Sequence, residues 1–406
     1  MVVGIGNALE FYDFLIFSYF AIQIGHTFFP ESQTSHGLLY SLATFGLGFI
    51  TRPLGGILIG AYGDRVGRKP AMLVSFGLMG VAILGLALTP SFAQIGIWAP
   101  VLLLVFRLIQ GFALGGEVGP STALLMESAP ADKRGFYVSI QNATQGLAIL
   151  AGGLVGFILS SLLSPASLES WGWRVAFLLG AAIVPVGLYV RRKLPETLHH
   201  PQKSTVSAVH TRVPVRVALL GVLMLGTATI GTYTLNYMNI YAQDTLHLVT
   251  RVAFGATIFN GLFYMLAAPL AGVLSDRVGS KPVMLGAVGM MMILAVPSYL
   301  MLNHFRTITA LYLATAVLSI LAQTISVSVI ISISEALPRA VRSGALATIY
   351  AVSIAVFGGS AQFIIKWLTD AVQSPMAPAW YLMGALVVGG CAMLAFSTAQ
   401  PGNATK

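Results

Sequence analysis

Charged and amide side chains placed inside long apolar runs are the residues of this chain best suited to chemistry. Glu10 and Asp13 stand three apart, so on a helix they share one face with Asn7. Arg52 precedes Pro53 in another apolar run, and Arg107, Gln110 and Glu117 share a third. A charge at the centre of a bilayer costs about 2.5 to 3.5 kcal/mol even on lenient insertion scales, so each such group must face a partner or a wet cavity. Guanidinium groups in a dry site bind carboxylates through parallel hydrogen bonds. Buried carboxylates suit the opposite task, taking up and releasing a proton near neutral pH. Together they predict a site that holds a small organic anion and moves protons with it.

Such residues need a membrane scaffold, and the composition supplies one. Of 406 residues, 56% are hydrophobic and only 9% charged, with a mean hydropathy of +0.84. That is more apolar surface than a soluble core can hide. Apolar stretches long enough to cross about 30 Å of hydrocarbon as helix recur along the chain. Twelve are expected, at 4–28, 36–60, 71–90, 98–126, 136–163 and 172–190, then 216–242, 248–274, 283–302, 308–334, 343–368 and 380–398. The runs are continuous and lack the alternation of barrel strands, so an all-α membrane protein is predicted.

The net charge of +9 raises the question of nucleic acid, but the basic residues form no patch. They gather in the loops of one side, as in Arg65, Arg68, Lys69, Lys133, Arg134, Arg191, Arg192, Lys193, Arg277, Lys281 and Arg342. The other side carries Arg174, Arg251 and Arg306. This bias predicts both termini in the cytoplasm. The lone Cys391 lies in an apolar run and can form no internal disulfide. The first run contains Glu10 and Asp13 and is followed by another span rather than by a small-residue cleavage site, so it reads as a helix and not a cleaved signal. It starts almost at Met1 without a polar leader, and further residues upstream are an expectation.

Two segments repeat. GAYGDRVGRKP at 60–70 returns as GVLSDRVGSKP at 272–282, and ESAPADKRG at 127–135 returns as EALPRAVRSG at 335–344. The second pair aligns Glu127 with Glu335 and Arg134 with Arg342. The chain thus divides into a six-helix bundle over 1–190, a polar, basic linker over 191–215 and a second bundle over 216–406. A duplicated bundle is the architecture of carriers whose site lies between the halves and opens to each side in turn.

The loop pattern Gly60, Asp64, Arg65, Gly67, Arg68 and Lys69 resembles the signature of the major facilitator superfamily, as do RLIQGFALGG at 107–116 and LPET at 194–197. GNALEFYDF at 6–14, RPLGG at 52–56, GGE at 115–117, GWR at 172–174 and FGGSAQF at 357–363 resemble its metabolite:proton symporter family, and the stretch 98–119 is similar to that of bacterial citrate/proton symporters. The second copy of the loop signature has Ser280 in place of its second arginine. The resemblance implies twelve transmembrane helices in two pseudo-symmetric bundles, a bacterial inner-membrane location and work as a monomer. It also implies a latch on the basic side, built from Asp64, Arg65, Arg68, Glu127 and Arg134 and, in the second half, Asp276, Arg277, Glu335 and Arg342.

The expected substrate contacts are Arg52, Arg107, Gln110, Gln141, Gln145, Tyr233, Asn236, Tyr237 and Gln362; Gln323 is a further polar candidate. Glu10, Asp13 and Glu117 are the expected proton carriers. Each has a plainer reading: Arg107 as a buried pair with a carboxylate of the first helix, Arg52 as a clamp between helices, the amides as packing contacts. Lys366 reads as a snorkelling surface cation and Arg174 as an interfacial anchor or an outer-mouth residue. On the helix from 98, Arg107, Gly111 and Gly115 recur every four residues, a bare stripe for close packing, while Gln110 and Glu117 form a polar stripe expected to face the cavity. The histidines fall at span ends or in loops, against a histidine relay.

Among other functions, no Walker loop, metal-ligand spacing or soluble domain supports an enzyme, ATP-driven transport, a metal or a cofactor. Uptake of a zwitterion such as betaine is the nearest alternative. Proton-driven efflux on the same fold usually brings a glycine-proline motif in the fifth helix, and residues 136–163 contain no proline.

Overall fold

The computed structural model describes residues 2–30, 36–115, 129–130, 132–193, 213–338 and 341–397, and the described residues form helices and no strands. The first half holds α1 (Val2–Tyr19, continued by Ala21–Phe28), α2 (Gly37–Leu47 and Arg52–Val66), α3 (Arg68–Leu88), α4 (Trp98–Leu114), α5 (Arg134–Leu162) and α6 (Trp173–Lys193). The second half holds α7 (Val215–Asn236, Met238–Ile240 and a π turn Tyr241–Thr245), α8 (Thr250–Val278), α9 (Ser280–Phe305) and α10 (Ile308–Ala336). It closes with α11 (Arg342–Ser353, a π turn Ile354–Gly358, then Gly359–Val372) and α12 (Ala377–Ala395). By length and apolarity, eight helices of the described residues suffice to cross a membrane, and Leu73–Leu88 and Trp98–Leu114 are shorter apolar helices.

The repeated signature is helical almost throughout, where a loop was expected. α2 runs to Val66 and α3 starts at Arg68, so Gly67 alone makes the corner, at φ 133°. Gly279 does the same between α8 and α9 at φ 97°. Only glycine adopts this backbone freely, which explains why both copies keep it. The polar segment around LPET and much of the linker, residues 194–212, lie outside the described residues.

Small residues bring the helices together. On α4, a side chain at Gly111 would overlap the carbonyl of Gly48, and one at Gly115 the carbonyl of Arg52, so the bare stripe seats α4 against α2. The two halves meet along α5 and α8. A Cβ on Gly135 would lie 2.6 Å from the Gly272 carbonyl oxygen and one on Gly153 2.8 Å from the Ile258 nitrogen, while Gly261 has no room beside Leu150. α2 meets α11 in the same way at Gly46 and Gly359. Such close backbones supply the van der Waals contact that replaces hydrophobic drive inside a bilayer.

Candidate functional site

A narrow cavity lies between the halves, with free space of about 40 Å³. Phe11 and Leu15 of α1 and Asn142 and Gln145 of α5 wall it from the first half. Thr229, Thr232, Tyr233 and Asn236 of α7, Tyr264 of α8, Ser326 of α10 and Tyr350 of α11 wall it from the second. Gln145 reaches across the gap to hydrogen-bond Tyr350. Of the residues expected at the substrate, Gln145, Tyr233 and Asn236 line this space. Gln141, Tyr237 and Gln362 are buried elsewhere in the bundle. Gln362 accepts a hydrogen bond from Ser18 at 2.8 Å and so ties α11 to α1.

The two arginines sit one layer behind the wall. Tyr233 meets the ring of Phe49 edge-on at 5.5 Å and that of Phe45 at 6.1 Å. Beyond those rings, the Arg52 guanidinium lies 4.3 Å from the centroids of both Phe14 and Phe49. Arg107 lies 4.5 Å from Phe14, 4.4 Å from Phe17 and 5.0 Å from Phe45. Desolvated cation–π contacts of this kind stabilise by about 2 kcal/mol or more, which offsets part of the cost of burying charge. Arg107 is fully buried; it donates to Gln110 Oε1 and, at 3.3 Å, to the Phe45 carbonyl. No carboxylate of a described side chain pairs with it.

Gln110 does not face the cavity. Its Nε2 donates to the backbone carbonyl of Asp13 at 3.2 Å, which joins α4 to α1. The Asp13 carboxyl points away from the cavity toward α6, where Gly180 leaves it room: a Cβ there would overlap its Oδ1. The neighbouring Tyr12 hydroxyl donates to the Ala176 carbonyl of α6 at 3.1 Å. Glu10 lies on α1, but its side chain is outside the described residues, and so is the whole of Glu117.

At the basic end, the Asp276 carboxylate accepts from the Gly135 amide at 2.7 Å and from the Phe136 amide at 2.9 Å. It caps the start of α5 from the opposite half, where orphan N–H groups and the helix dipole favour an anion. Glu335 accepts from Ser280 at 3.2 Å and lies in the fields of Arg134 and Arg342. Arg342 donates to the Leu337 carbonyl at 3.1 Å. Arg65 and Arg277 are exposed. The side chains of Asp64 and Arg68, and Glu127 entirely, lie outside the described residues.

At the other end, Lys366 differs from the snorkelling cation expected of it. Its ammonium sits 2.9 Å from both Asp244 of α7 and Asp370 of α11. A carboxylate on another helix and one a turn along its own hold it in place; the second is visible in the four-residue spacing, the first is not. Arg174 lies over Trp173 and donates to the carbonyls of Ser170 at 2.9 Å and Thr89 at 3.0 Å, which anchors α6 to the end of α3. His26 Nδ1 and the Glu169 carboxylate make a hydrogen-bond contact between exposed side chains.

Several polar residues of the site are ones that no charge pattern marked: Asn142, Thr232, Tyr264, Ser326 and Tyr350, with Asn260 and Ser319 behind them. The sequence signal available was faint, a hydroxyl or amide recurring on one face of an apolar helix, as in Asn260 and Tyr264 or Ser319 and Ser326.

Two helical bundles close on a central cavity whose mostly apolar wall carries a few polar groups, and the Asp276 contact to α5 joins them at one end, the layout of a membrane carrier. The chain belongs to the Major Facilitator Superfamily, a family of transporters rather than enzymes, which it matches over residues 4–356. It is 32% identical over 391 residues to the citrate-proton symporter of Klebsiella pneumoniae, covering 95% of this chain and 88% of that one. It is 34% identical over 383 residues to the alpha-ketoglutarate permease of Escherichia coli K12, covering 93% and 88%. It is 31% identical over 404 residues to that organism's proline/betaine transporter, covering 95% and 80%. Among solved structures, a D-xylose-proton symporter superposes with a TM-score of 0.77 at 20% identity, over 97% of this chain and 96% of that one.

Proposed function

We propose that the protein imports a small organic anion, citrate or a related tri- or dicarboxylate, together with protons by alternating access. The observation that carries this reading is Arg107: a guanidinium sealed in the first half, with Arg52 beside it and no described carboxylate paired to it, one aromatic layer behind the cavity wall. In a low-dielectric interior this charge makes the cavity attractive to an anion without touching it. Tyr233, Gln145 and Asn236 then supply the direct polar contacts. Citrate-proton symport and alpha-ketoglutarate transport by two relatives support the same class.

Protons are carried, in this reading, on Asp13, with Glu10 and Glu117 as the other candidates. Asp13 is buried and its backbone is held by Gln110, the residue that also receives Arg107. The expected setting is a bacterial inner membrane, with the basic end and both termini in the cytoplasm and the protein acting as a monomer. Asp64, Arg65, Arg68, Glu127, Arg134, Asp276, Arg277, Glu335 and Arg342 would form the cytoplasmic latch. The free space of about 40 Å³ holds little more than water, so binding requires the halves to part.

A second reading rests on the rings of Phe11, Tyr233, Tyr264 and Tyr350, all on the cavity wall. Aromatic faces hold quaternary ammonium groups, which suits betaine, and a proline/betaine transporter is among the relatives. Uptake of labelled citrate into proteoliposomes under an inward proton gradient separates the two. Protonophore-sensitive accumulation suppressed by tricarballylate and succinate is the expected result; betaine uptake with no citrate uptake would overturn the anion reading.

A further inference from the structure

Asn236 stands on the cavity wall, and a chain of hydrogen bonds reaches its side-chain oxygen from behind. Ser319 of α10 shares its one hydroxyl proton between the Thr315 carbonyl at 2.6 Å and Asn260 Oδ1 at 2.8 Å, and Asn260 Nδ2 donates to Asn236 Oδ1 at 3.0 Å. From the other half, the Tyr19 hydroxyl donates to the same oxygen at 3.4 Å. None of Ser319, Asn260 and Tyr19 lines the cavity. With Oδ1 occupied from two sides, the amide of Asn236 is fixed in one orientation, and its Nδ2, which bonds to no described residue, is the edge left for the cavity.

We propose that Asn236 Nδ2 is the donor that receives a carboxylate group of the substrate, with Asn260 and Ser319 as positioning residues that keep the donor edge forward. A flipped amide would present its oxygen to the anion and repel it, so the network sets the sign of this contact. Tyr19 adds a dependence on conformation. It belongs to the first half, so its hydrogen bond exists only while α1 and α7 stand close, and Asn236 is fully fixed only when the halves meet around it. The inference rests on the reading that the substrate bears a carboxylate, a group that citrate, alpha-ketoglutarate, proline and betaine all share.

The test uses the full chain in proteoliposomes, with counterflow of these four compounds measured first on the unaltered protein to choose the best substrate. Asn260→Asp replaces the donor with an acceptor, so Asn236 must turn its Nδ2 backward. We expect KM to rise by about tenfold with Vmax little changed, and Asn236→Ala to raise KM by about 10- to 100-fold. Because Asn260 acts through Asn236, Asn260→Asp should add nothing in the Asn236→Ala background. Ser319→Ala, a milder change, should raise KM by about threefold and serves where Asn260→Asp does not fold. An unchanged KM in the folded variants would overturn the proposal. So would an Asn260→Asp effect that persists without Asn236, the mark of simple charge repulsion or general damage. Failure of the unaltered protein to carry any of the four would remove the carboxylate reading and this inference with it; betaine counterflow alone would remove only the organic-anion reading.

Discussion

Replacing Asp276 tests the latch between the halves directly. Its carboxylate oxygens receive two backbone N–H groups at the start of α5, at 2.7 and 2.9 Å. A hydrogen bond to a charged group contributes about 1.5 to 3 kcal/mol, and Asp276 is half-exposed, so the lower figure applies. Two such bonds amount to about 3 kcal/mol, which at 1.4 kcal/mol per decade is a shift of about 100-fold toward forms open at this end. Asp276→Ala should show the whole of it; Asp276→Asn, which keeps one neutral acceptor, about tenfold. The readout is alkylation of a cysteine at Ser139, fully buried on α5 behind the latch, after Cys391→Ser. While opening is fast, the alkylation rate follows the open population. Equal rates in Asp276→Ala and the unaltered protein, at equal thermal stability, would refute the assignment of Asp276 as a latch.

Other outcomes follow from single positions. Gly279→Ala should lower stability by roughly 1 to 3 kcal/mol from its positive-φ backbone alone, since Pro282 leaves a Cβ ordinary room at 3.6 Å; an unchanged thermal midpoint would contradict this. Gly111→Ala should prevent α4 from seating on α2 and abolish monodisperse protein, whereas Gly60→Ala, with open space around it, should stay within about 0.5 kcal/mol of the parent. Chromatographic profiles that do not separate the two would count against the packing assigned to α4. Asp13→Asn should stop proton-driven accumulation and spare counterflow; retained uphill uptake would remove Asp13 as a proton carrier.

What the sequence revealed, and what it hid, divides along physical lines. Helix count and the repeat were legible because hydrophobic length and duplication are written locally. The glycines of α4 were legible because a four-residue period has one structural use. The corner at Gly67 was misread as a loop, since a single positive-φ residue leaves no trace in hydropathy. Arg52 and Arg107 were legible as unusual but not as hidden: whether a membrane arginine faces a cavity or an aromatic box depends on Phe14, Phe45 and Phe49, which look like ordinary lipid-facing residues in a list. Gln110 was expected at the cavity but bonds the Asp13 carbonyl, and one of the two carboxylates that hold Lys366 is Asp244; both partners are distant in sequence, whereas Asp370, four residues from Lys366, was legible.

The separation of these groups bears on how a proton could be coupled to a solute. Asp13 faces α6 and the cavity lies on another side of α1, so a proton there and a substrate in the cavity share no ligand. What they share is α1 itself. Tyr12 ties it to α6, the Asp13 carbonyl ties it through Gln110 to α4, Ser18 ties it to α11 and Tyr19 ties it to α7. The first two bonds lie within one half and the last two cross to the other. Coupling requires each ligand to favour one of two global states by differential contact. With Asp13 as the proton carrier proposed above, its protonation would alter how α1 sits on its own half, and the bonds of Ser18 and Tyr19 would pass that change to Gln362 and Asn236. Breaking either crossing bond, by Ser18→Ala or Tyr19→Phe, should therefore loosen the ratio of protons to solute while solute affinity in counterflow stays within a few fold. A stoichiometry preserved in both variants would place the coupling on another path.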